Sequence, residues 1–333
     1  MLGRASPDAA ATTPDARPCL RELLNILEQD GYDFVTVTPV SHARVVARTH
    51  RRQARDMRDI FGWSLPFDAA LLPAGMFGRL QAGGVIVEGD DGLFASRIRV
   101  SRVRDTLFLH SAYPTTAWNS VFLGPDSYRF AELILARMGS LPDGARILDY
   151  GAGAGVGGIV AARTQPGSTL TIADINPDAL FLAGINAEHA DVTAHGVEVT
   201  EPTEVEGPYD LVVTHPPFMI DAEKRAYRDG GDLHGARLSL DWAVAAAGKL
   251  APGGRLILHT GVSIVDGEDM LRDRLRDALP GVGLTMEYRE LDPDIFGDEL
   301  DKPAYADVDR IAAVGLCVTR IGGDAQIGGV WRA

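Results

Sequence analysis

A loop of alternating glycines directly after a short apolar strand is the feature that most constrains the fold of this chain. Residues 146–158 read Arg-Ile-Leu-Asp-Tyr-Gly-Ala-Gly-Ala-Gly-Val-Gly-Gly. Glycine adopts positive φ and has no Cβ, so such a loop turns sharply and lets a ligand lie against its backbone. The Ala/Val segment from Val156 can begin a helix whose unpaired N–H groups and dipole face that ligand. The stretch predicts a nucleotide-type site on the first strand and helix of an α/β sheet.

Two cofactors are compatible with this loop. The spacing Gly-x-Gly-x-x-Gly over 153–158 fits the dinucleotide fingerprint, whereas Asp-x-Gly-x-Gly-x-Gly over 149–155 fits S-adenosylmethionine (SAM). A second predicted strand, 169–174, ends at Asp174, where a carboxylate can accept hydrogen bonds from both ribose hydroxyls in either case. A tight turn without a ligand is the third interpretation. The loop alone leaves the choice open.

Length and charge bound the class of protein. The chain has 333 residues, 46% of them hydrophobic and 23% charged, which favours a globular protein of two domains. Its net charge of −14 disfavours a long anionic partner such as nucleic acid. The two cysteines have no ligand-like spacing, so we expect a reducing cytoplasm, no disulfide and no metal site. No apolar run is long enough for a membrane span.

The N-terminal part predicts a small α+β domain over residues 18–121, after a disordered tail at 1–17. We expect a helix over 18–30, a strand over 33–40, and later strands over 85–87, 93–103 and 106–110. An arginine run over 44–58 is either a nucleic-acid patch or a solvated helix face that packs inward through four apolar side chains, Val45, Val46, Met57 and Ile60. We place the domain junction just before Gly124-Pro125.

The second part, residues 122–322, alternates strands and helices. Predicted strands cover 146–150, 169–174, 196–200, 209–214, 254–260, 283–290 and 310–319, and predicted helices cover 127–138, 156–164, 177–189, 236–250 and 267–279. Such alternation indicates a parallel sheet with helices on both faces and ligands beyond the carboxyl ends of its strands. The last two strands, with no helix between them, predict an antiparallel hairpin. The acidic segment 292–305 that joins them is either a wall of the substrate site or a solvated loop. Residues 323–333 are a predicted tail.

The motif after the fourth strand decides between the cofactors. Tyr209–Thr214 is followed at once by His215-Pro216-Pro217-Phe218. Together with Asp-x-Gly-x-Gly-x-Gly and Asp174-Ile175-Asn176-Pro177, this resembles the class I SAM-dependent methyltransferases that modify nitrogen. The branch it resembles is the small-domain branch, which includes release-factor glutamine methyltransferases and some rRNA guanine methyltransferases. The resemblance covers about residues 122–320. It implies a Rossmann-like sheet of seven strands with an antiparallel last hairpin, and SAM as the cofactor.

The resemblance also assigns residues. Those expected to bind SAM are Asp149, Tyr150, Gly151, Gly153, Gly155, Asp174, Ile175, Asn176 and Glu201. The expected catalytic set is His215, Pro216, Pro217 and Phe218, and the expected acceptor contacts are Tyr128, Phe130, Arg228 and Tyr305. In the family an Asn or Asp side chain and the carbonyl of the first proline accept the two N–H hydrogens of the acceptor. The aromatic ring covers the plane of the acceptor.

One position departs from the family, because His215 stands where relatives have Asn, Asp or Ser. A neutral imidazole has one acceptor nitrogen and a protonated one has none. His215 could therefore replace the amide oxygen, act as a general base, or have no chemical role. The sequence predicts an N-methyltransferase for a peptide, an amino-acid-derived compound or another small nitrogenous acceptor, with the N-terminal domain recognising that acceptor. The alternatives are a release-factor-like or rRNA methyltransferase, with the arginine run as docking surface, and a SAM-binding protein without catalysis.

Overall fold

The computed structural model describes residues 16–89, 91–279, 283–322 and 330–332. These divide into two compact units. The N-terminal unit holds the described residues up to Tyr128 together with Gly153–Val156 and Asn176–Val192, and the C-terminal unit holds the rest. Most of the predicted tails, residues 1–15, 323–329 and 333, lie outside the described residues.

The N-terminal unit combines helices with two small antiparallel sheets. Its first helices are α1 (Ala16–Gln29), α2 (Pro39–Val46), α3 (Met57–Phe61) and α4 (Ala74–Ala82). Its strands are β1 (Ile86–Glu88), β2 (Phe94–Ser96), β3 (Ile98–Val103) and β4 (Thr106–Ser111), paired as β1 with β2 and β3 with β4. The leucines of α1 recur at helical spacing and are buried, which is why this segment is a helix.

Two predictions in this unit are wrong. Residues 33–38 form no strand, because Thr38 caps a helix instead: its Oγ1 accepts from the Ser41 N–H at 3.2 Å, and Pro39 takes the first helical position. The arginine run is not one helical face, because residues 47–56 are not helical and separate α2 from α3. Of the four apolar side chains expected to pack inward, Ile60 is buried and the other three are half-buried.

The C-terminal unit is built on one mixed sheet. Its strands are β5 (Arg146–Tyr150), β6 (Thr169–Asp174), β7 (Ala194–Glu198), β8 (Tyr209–Thr214), β9 (Leu250–Val265), β10 (Glu268–Asp269), β11 (Leu284–Asp292), β12 (Arg310–Arg320) and β13 (Val330–Arg332). The remaining helices of the chain are α5 (Pro125–Arg137), α6 (Val156–Arg163), α7 (Pro177–His189), α8 (Arg237–Ala247) and α9 (Met270–Ala278). Of these, α7 belongs to the N-terminal unit, and α5 continues from one unit into the other at residue 129.

The strand order is β13-β11-β12-β9-β8-β5-β6-β7, with β10 paired to β9. Strands β7, β6, β5, β8 and β9 run parallel to their neighbours, whereas β12 is antiparallel to β9 and to β11. The predicted Rossmann-like α/β sheet with an antiparallel last hairpin is confirmed. The connections reverse direction between β5 and β8, which is where an open α/β sheet forms its ligand crevice.

Burial on both faces explains the continuous apolar runs in the central strands. Core side chains of this sheet include Leu148, Val212, Leu256, Leu258 and Leu316, and α8 covers them with Ala243, Ala246 and Ala247. The strand β9 is longer than predicted, at Leu250–Val265, since it pairs with β12 along most of its length. The short strand β13 adds to β11 in parallel and was not predicted.

Candidate functional site

The glycine loop after β5 adopts the conformation that its composition predicts. Gly151, Gly153 and Gly155 have φ of +65°, +54° and +79°, a region that other residues rarely occupy. A Cβ on Gly151 would lie 2.5 Å from the ring of Trp242, a residue of α8. That position therefore requires glycine for conformation and for space.

Asp149 is buried and stabilises the end of the glycine loop through a hydrogen bond. Its side chain is 1% exposed, and its Oδ2 accepts from the Gly158 N–H at 2.7 Å, which satisfies an unpaired donor in the first turn of α6. Burial raises the pKa of the Asp149 carboxyl to about 7, partly offset by this hydrogen bond and increased by the nearby Asp174 carboxylate. A Cβ on Gly158 would lie 2.8 Å from the Asp149 Cβ, so position 158 has no room for a side chain next to Asp149.

Asp174 ends β6 as a nearly buried acid, with 9% of its surface exposed, and the next residue, Ile175, is 49% exposed. The backbone oxygen of Asp174 accepts from the Val199 N–H at 3.1 Å, which fixes the strand end. Glu201, which follows β7, is exposed. An acid and an apolar side chain at the carboxyl end of β6, next to β5 in the sheet, can serve a ribose and a flat base.

Asn176 begins α7 and uses its side chain within the N-terminal unit. Its Oδ1 accepts from the Asp178 N–H at 3.0 Å, and its Nδ2 donates to the Asn119 carbonyl at 2.7 Å. The first contact is a helix cap. Both ends of this side-chain amide therefore have partners within the N-terminal unit.

His215 lies directly after β8 and has a defined tautomer. Its Nδ1 is 2.8 Å from the backbone oxygen of His259, a residue of β9. A carbonyl oxygen only accepts, so Nδ1 carries the hydrogen and the lone pair of the neutral ring is on Nε2. The side chain therefore presents one acceptor nitrogen with its orientation fixed by β9.

His259 is completely buried beside His215. Its Nδ1 is 3.2 Å from the His215 Nδ1, whose one hydrogen is directed to the His259 carbonyl. A second hydrogen between the two nitrogens would clash with it, so the neutral His259 ring carries its hydrogen on Nε2. That Nε2 has no hydrogen-bond partner among the described residues. Burial, and secondarily the charge that His215 or Arg129 would carry, hold the pKa of His259 well below its ordinary value. His259 is therefore a neutral partner that cannot donate to His215 through Nδ1.

Aromatic rings surround His215 within the C-terminal unit. The ring centroids of Phe130 and Phe218 lie 5.6 and 5.7 Å from that of His215. A Cβ on Gly157 would be 2.5 Å from the Phe130 ring, and one on Gly261 would overlap the Phe218 ring. Pro216 is buried, whereas Pro217 and Phe218 are half-buried. The segment 215–218 thus combines one hydrogen-bond acceptor nitrogen, on His215, with a half-buried aromatic ring, on Phe218.

Two residues predicted to contact the acceptor connect the segment 292–305 to the segment 219–230 instead. Arg228 pairs with the nearly buried Glu299 at 2.7 Å. The Tyr305 hydroxyl accepts from the Ile220 N–H at 2.8 Å, and its ring is 2% exposed. The segment 292–305 is therefore structured by two short 3₁₀ turns, 297–301 and 303–305, and anchored by a small apolar cluster, while most of its residues are exposed to solvent.

The last predicted acceptor contact, Tyr128, lies in the N-terminal unit, where its hydroxyl accepts from the Thr36 N–H at 2.9 Å.

Sequence reasoning missed His259, Trp242 and Gly261. The available signal for His259 was a single imidazole within an otherwise apolar strand. Among the described residues no group of three His, Cys, Asp or Glu side chains could hold a metal ion. No helix of the described chain is both long and apolar enough to cross a bilayer.

Comparisons with known proteins agree with this arrangement. Residues 129–260 match the family model "Methyltransferase small domain". The release factor glutamine methyltransferase of Chlorobaculum tepidum is 31% identical over 45% of this chain and 56% of its own length. The ribosomal RNA small subunit methyltransferase C of Ectopseudomonas mendocina is 29% identical over 32% and 35%. The solved 16S rRNA N2 G1207 methyltransferase of T. thermophilus is 17% identical over 87% and 73%, with a TM-score of 0.42.

The chain thus spans about half the length of the first of these curated relatives. The matched region contains the glycine loop, the acid that ends β6 and the residues 215–218. That combination favours SAM over a dinucleotide, since the matched family consists of methyltransferases. Over residues 129–260 this chain is similar to the class I SAM-dependent methyltransferases of the branch that contains the methyltransferase small domain.

Proposed function

We propose that this protein transfers a methyl group from SAM to a nitrogen of a peptide-like acceptor. The observation that carries the proposal is the fixed tautomer of His215. Its Nδ1–H donates to the His259 carbonyl, so that Nε2 is a hydrogen-bond acceptor where relatives have an amide or carboxylate oxygen. Although His215 departs from the family pattern, it would thereby supply the same hydrogen-bond acceptor.

The residues of the C-terminal unit fit SAM. Asp174 would accept from the ribose hydroxyls, Ile175 would cover the adenine, and the backbone at Tyr150 and Gly151 would face the methionine part. Asp149 would hold the loop through Gly158 without touching the ligand, because its carboxyl is buried and hydrogen-bonded. When bound, SAM supplies an electrophilic methyl group.

The turn 215–218 would prepare the acceptor nitrogen. An amide nitrogen has a delocalised lone pair and needs its N–H groups drawn into hydrogen bonds before it can attack. We assign one acceptor to the His215 Nε2 and the other to the Pro216 carbonyl, while Phe218 covers the plane of the amide. As the N–CH₃ bond forms, the S–CH₃ bond of the sulfonium would break, and the proton on nitrogen would pass to Nε2 and then to solvent. Such general-base assistance contributes typically ~10²–10⁴-fold to rate.

The names of the relatives guide the choice of acceptor. Release factor glutamine methyltransferases modify the side-chain amide of a protein, and a peptide-like amide fits a site with two hydrogen-bond acceptors and an aromatic cover. The net charge of −14 favours such an acceptor over rRNA. We therefore place a glutamine or related amide in a protein or peptide first among the possible acceptors.

The test is methyl transfer from tritiated SAM to a cell extract that is then separated into protein, RNA and small molecules. We expect label in protein, lost in His215→Ala with SAM affinity by calorimetry unchanged. His215→Asn should restore only part of the turnover, because the amide oxygen replaces the hydrogen-bond acceptor but not the base, and it should lose the fall in rate at acid pH, because an amide oxygen does not protonate in that range. Native turnover in His215→Ala would contradict the assigned role. Tight SAM binding without transfer to any fraction would indicate a protein that binds SAM without catalysis.

A further inference from the structure

The N-terminal unit contains an arginine buried without a counterion. Arg99 lies on β3 with 2% of its surface exposed, and no other arginine of the described residues is buried to that extent. Its cross-strand partner on β4 is His110, so both side chains are on the same face of the hairpin. Moving a guanidinium out of water is expensive unless a partner of opposite charge accompanies it.

No described carboxylate accompanies Arg99. Its Nε donates to the Ser111 carbonyl at 3.0 Å, a neutral partner. Burial, the largest cause, lowers the pKa of Arg99 to about 10, which leaves it cationic at neutral pH. The other groups that act on this pKa are the phenols of Tyr128, Tyr32 and Tyr113, which carry no charge at neutral pH. A buried acid of the same unit, by contrast, has cationic partners. Asp59 receives Arg51 at 2.6 Å and Arg55 at 2.9 Å.

Neutral polar groups extend from Arg99 along the same face. The His110 Nε2 is 2.8 Å from the Ser101 Oγ, which is 2.5 Å from the Thr36 Oγ1. If Thr36 donates to Ser101 and Ser101 donates to Nε2, the proton of His110 is on Nδ1. That buried Nδ1 has no hydrogen-bond partner among the described residues. Burial and the charge of Arg99 hold the pKa of His110 well below its ordinary value and outweigh the opposite effect of the nearby Ser111 backbone, so the ring adds no charge and, with this proton arrangement, a donor at Nδ1.

We propose that Arg99 and His110 form a binding site for a carboxylate group inside the N-terminal unit. Arg99 carries one positive charge, so a ligand with one negative charge neutralises it. A carboxylate has that charge, whereas a phosphate dianion has two. The planar guanidinium matches a carboxylate in a bidentate pair, and the His110 Nδ1–H offers a further donor. The proposal is independent of methyl transfer. The carboxylate could come from a free acid or from the C-terminus of a peptide.

The experiment uses the full-length protein with benzoate, acetate, inorganic phosphate and chloride as probes at equal ionic strength. Benzoate or acetate is expected to raise the Tm of the native protein by about 2–4 °C, with no rise in phosphate or chloride. In Arg99→Met the unliganded Tm should equal or exceed that of the native protein, because an uncompensated buried charge is gone, and the carboxylate effect should vanish. Arg102→Met is the matched control. Arg102 is on the same strand but pairs with Glu28 at 3.2 Å, so its loss should leave the carboxylate effect intact.

Calorimetry with Arg99→Lys covers the case in which Arg99→Met does not fold. Lysine keeps the charge but loses the planar fork, so carboxylate binding should weaken about ten-fold or more. A tripeptide with a free C-terminus, compared with its amide, distinguishes the sources: binding of the free form alone indicates a peptide terminus, and binding of benzoate alone indicates a free acid. The proposal is overturned if no carboxylate binds the native protein, if the effect persists in Arg99→Met, or if phosphate acts equally.

Discussion

At the scale of single residues, the buried carboxyl of Asp149 makes stability depend on pH. An aspartate in an unfolded chain has a pKa of ~3.9, whereas burial raises the pKa of folded Asp149 to about 7. Between these values the folded protein holds a proton that the unfolded chain has lost. The free energy of unfolding therefore falls as the pH rises from about 4 to about 7, by an amount on the order of 4 kcal/mol from this group.

Asp149→Asn tests this directly, since an amide oxygen still accepts from the Gly158 N–H but does not ionise. Urea unfolding at pH 5 and pH 8 should show that the native protein loses more stability than the variant over this interval. The exposed Asp143→Asn is the control and should behave like the native protein. Parallel pH dependences in the native protein and Asp149→Asn would contradict the assignment.

Gly261 controls the position of the aromatic residue in the turn 215–218. A Cβ there would overlap the Phe218 ring, so Gly261→Ala should displace that ring. Because a misplacement of about 1 Å can cost ~10²-fold in rate, we expect methyl transfer to fall by at least ten-fold while SAM affinity is retained. Gly297→Ala is the control, since its Cβ would have no atom closer than 3.8 Å. Unchanged turnover in Gly261→Ala would mean that Phe218 does not position the acceptor.

Residues of the candidate site could be predicted from the sequence only where they form part of a local motif. Asp149 and the glycines were found because the loop needs positive φ at fixed spacing. His259 was not, because its partner His215 is 44 residues away and the contact exists only once β8 and β9 pair. The burial of Arg99 was equally hidden, since alternation of apolar and polar residues in β3 resembles a strand with one face in water.

At the scale of elements, Arg228 anchors the segment 292–305. Removing it in Arg228→Met leaves the nearly buried Glu299 with Lys302 as its remaining ion pair, at 2.6 Å. We expect a loss of about 2 kcal/mol in the free energy of unfolding and faster hydrogen exchange of amides 297–305. The control Arg237→Met removes an exposed pair with Asp241 and should cost at most about 0.5 kcal/mol. Equal effects of the two substitutions would contradict this role of Arg228.

Element boundaries were predictable where one physical signal dominated. The strands β5, β6 and β8 have their predicted bounds because each is an apolar run between polar residues and is buried on both faces. The strand expected over 33–40 failed because Thr38-Pro39 is a stronger helix signal than a short alternation. The strand β13 could not be foreseen, since three residues show no periodicity and the pairing partner β11 is distant in the chain.

At the scale of the whole molecule, Asn186 of α7 connects three parts of the N-terminal unit. Its Oδ1 accepts from the Leu109 N–H at 2.8 Å, and its Nδ2 donates to the carbonyls of Leu109 and Ala154 at 3.1 and 2.9 Å. All of this is buried, so Asn186→Leu leaves three backbone groups unsatisfied. We expect a loss of about 3 kcal/mol or more by urea unfolding. The control Asn119→Ala loses one part-buried contact and should cost less than about 1.5 kcal/mol. A near-neutral Asn186→Leu would show that water replaces these bonds.

The length of the chain predicted two compact units, but not that Asn176–Val192 would belong to the first. In sequence α7 is a connection between two parallel strands of the sheet. Its membership of the N-terminal unit follows from contacts such as those of Asn186, which are long-range and specific to this chain. Periodicity cannot reveal them.

This interleaving has a consequence for how such genes can recombine. An exchange at a single breakpoint near residue 121 would pair the α7 of one parent with the β4 of another. In the recombinant protein, Asn186 and the backbone groups of β4 with which it forms hydrogen bonds would come from different parents. Chimaeras of this family should therefore be viable when 176–192 travels with the N-terminal part, and the two units should share one evolutionary history despite being compact separately.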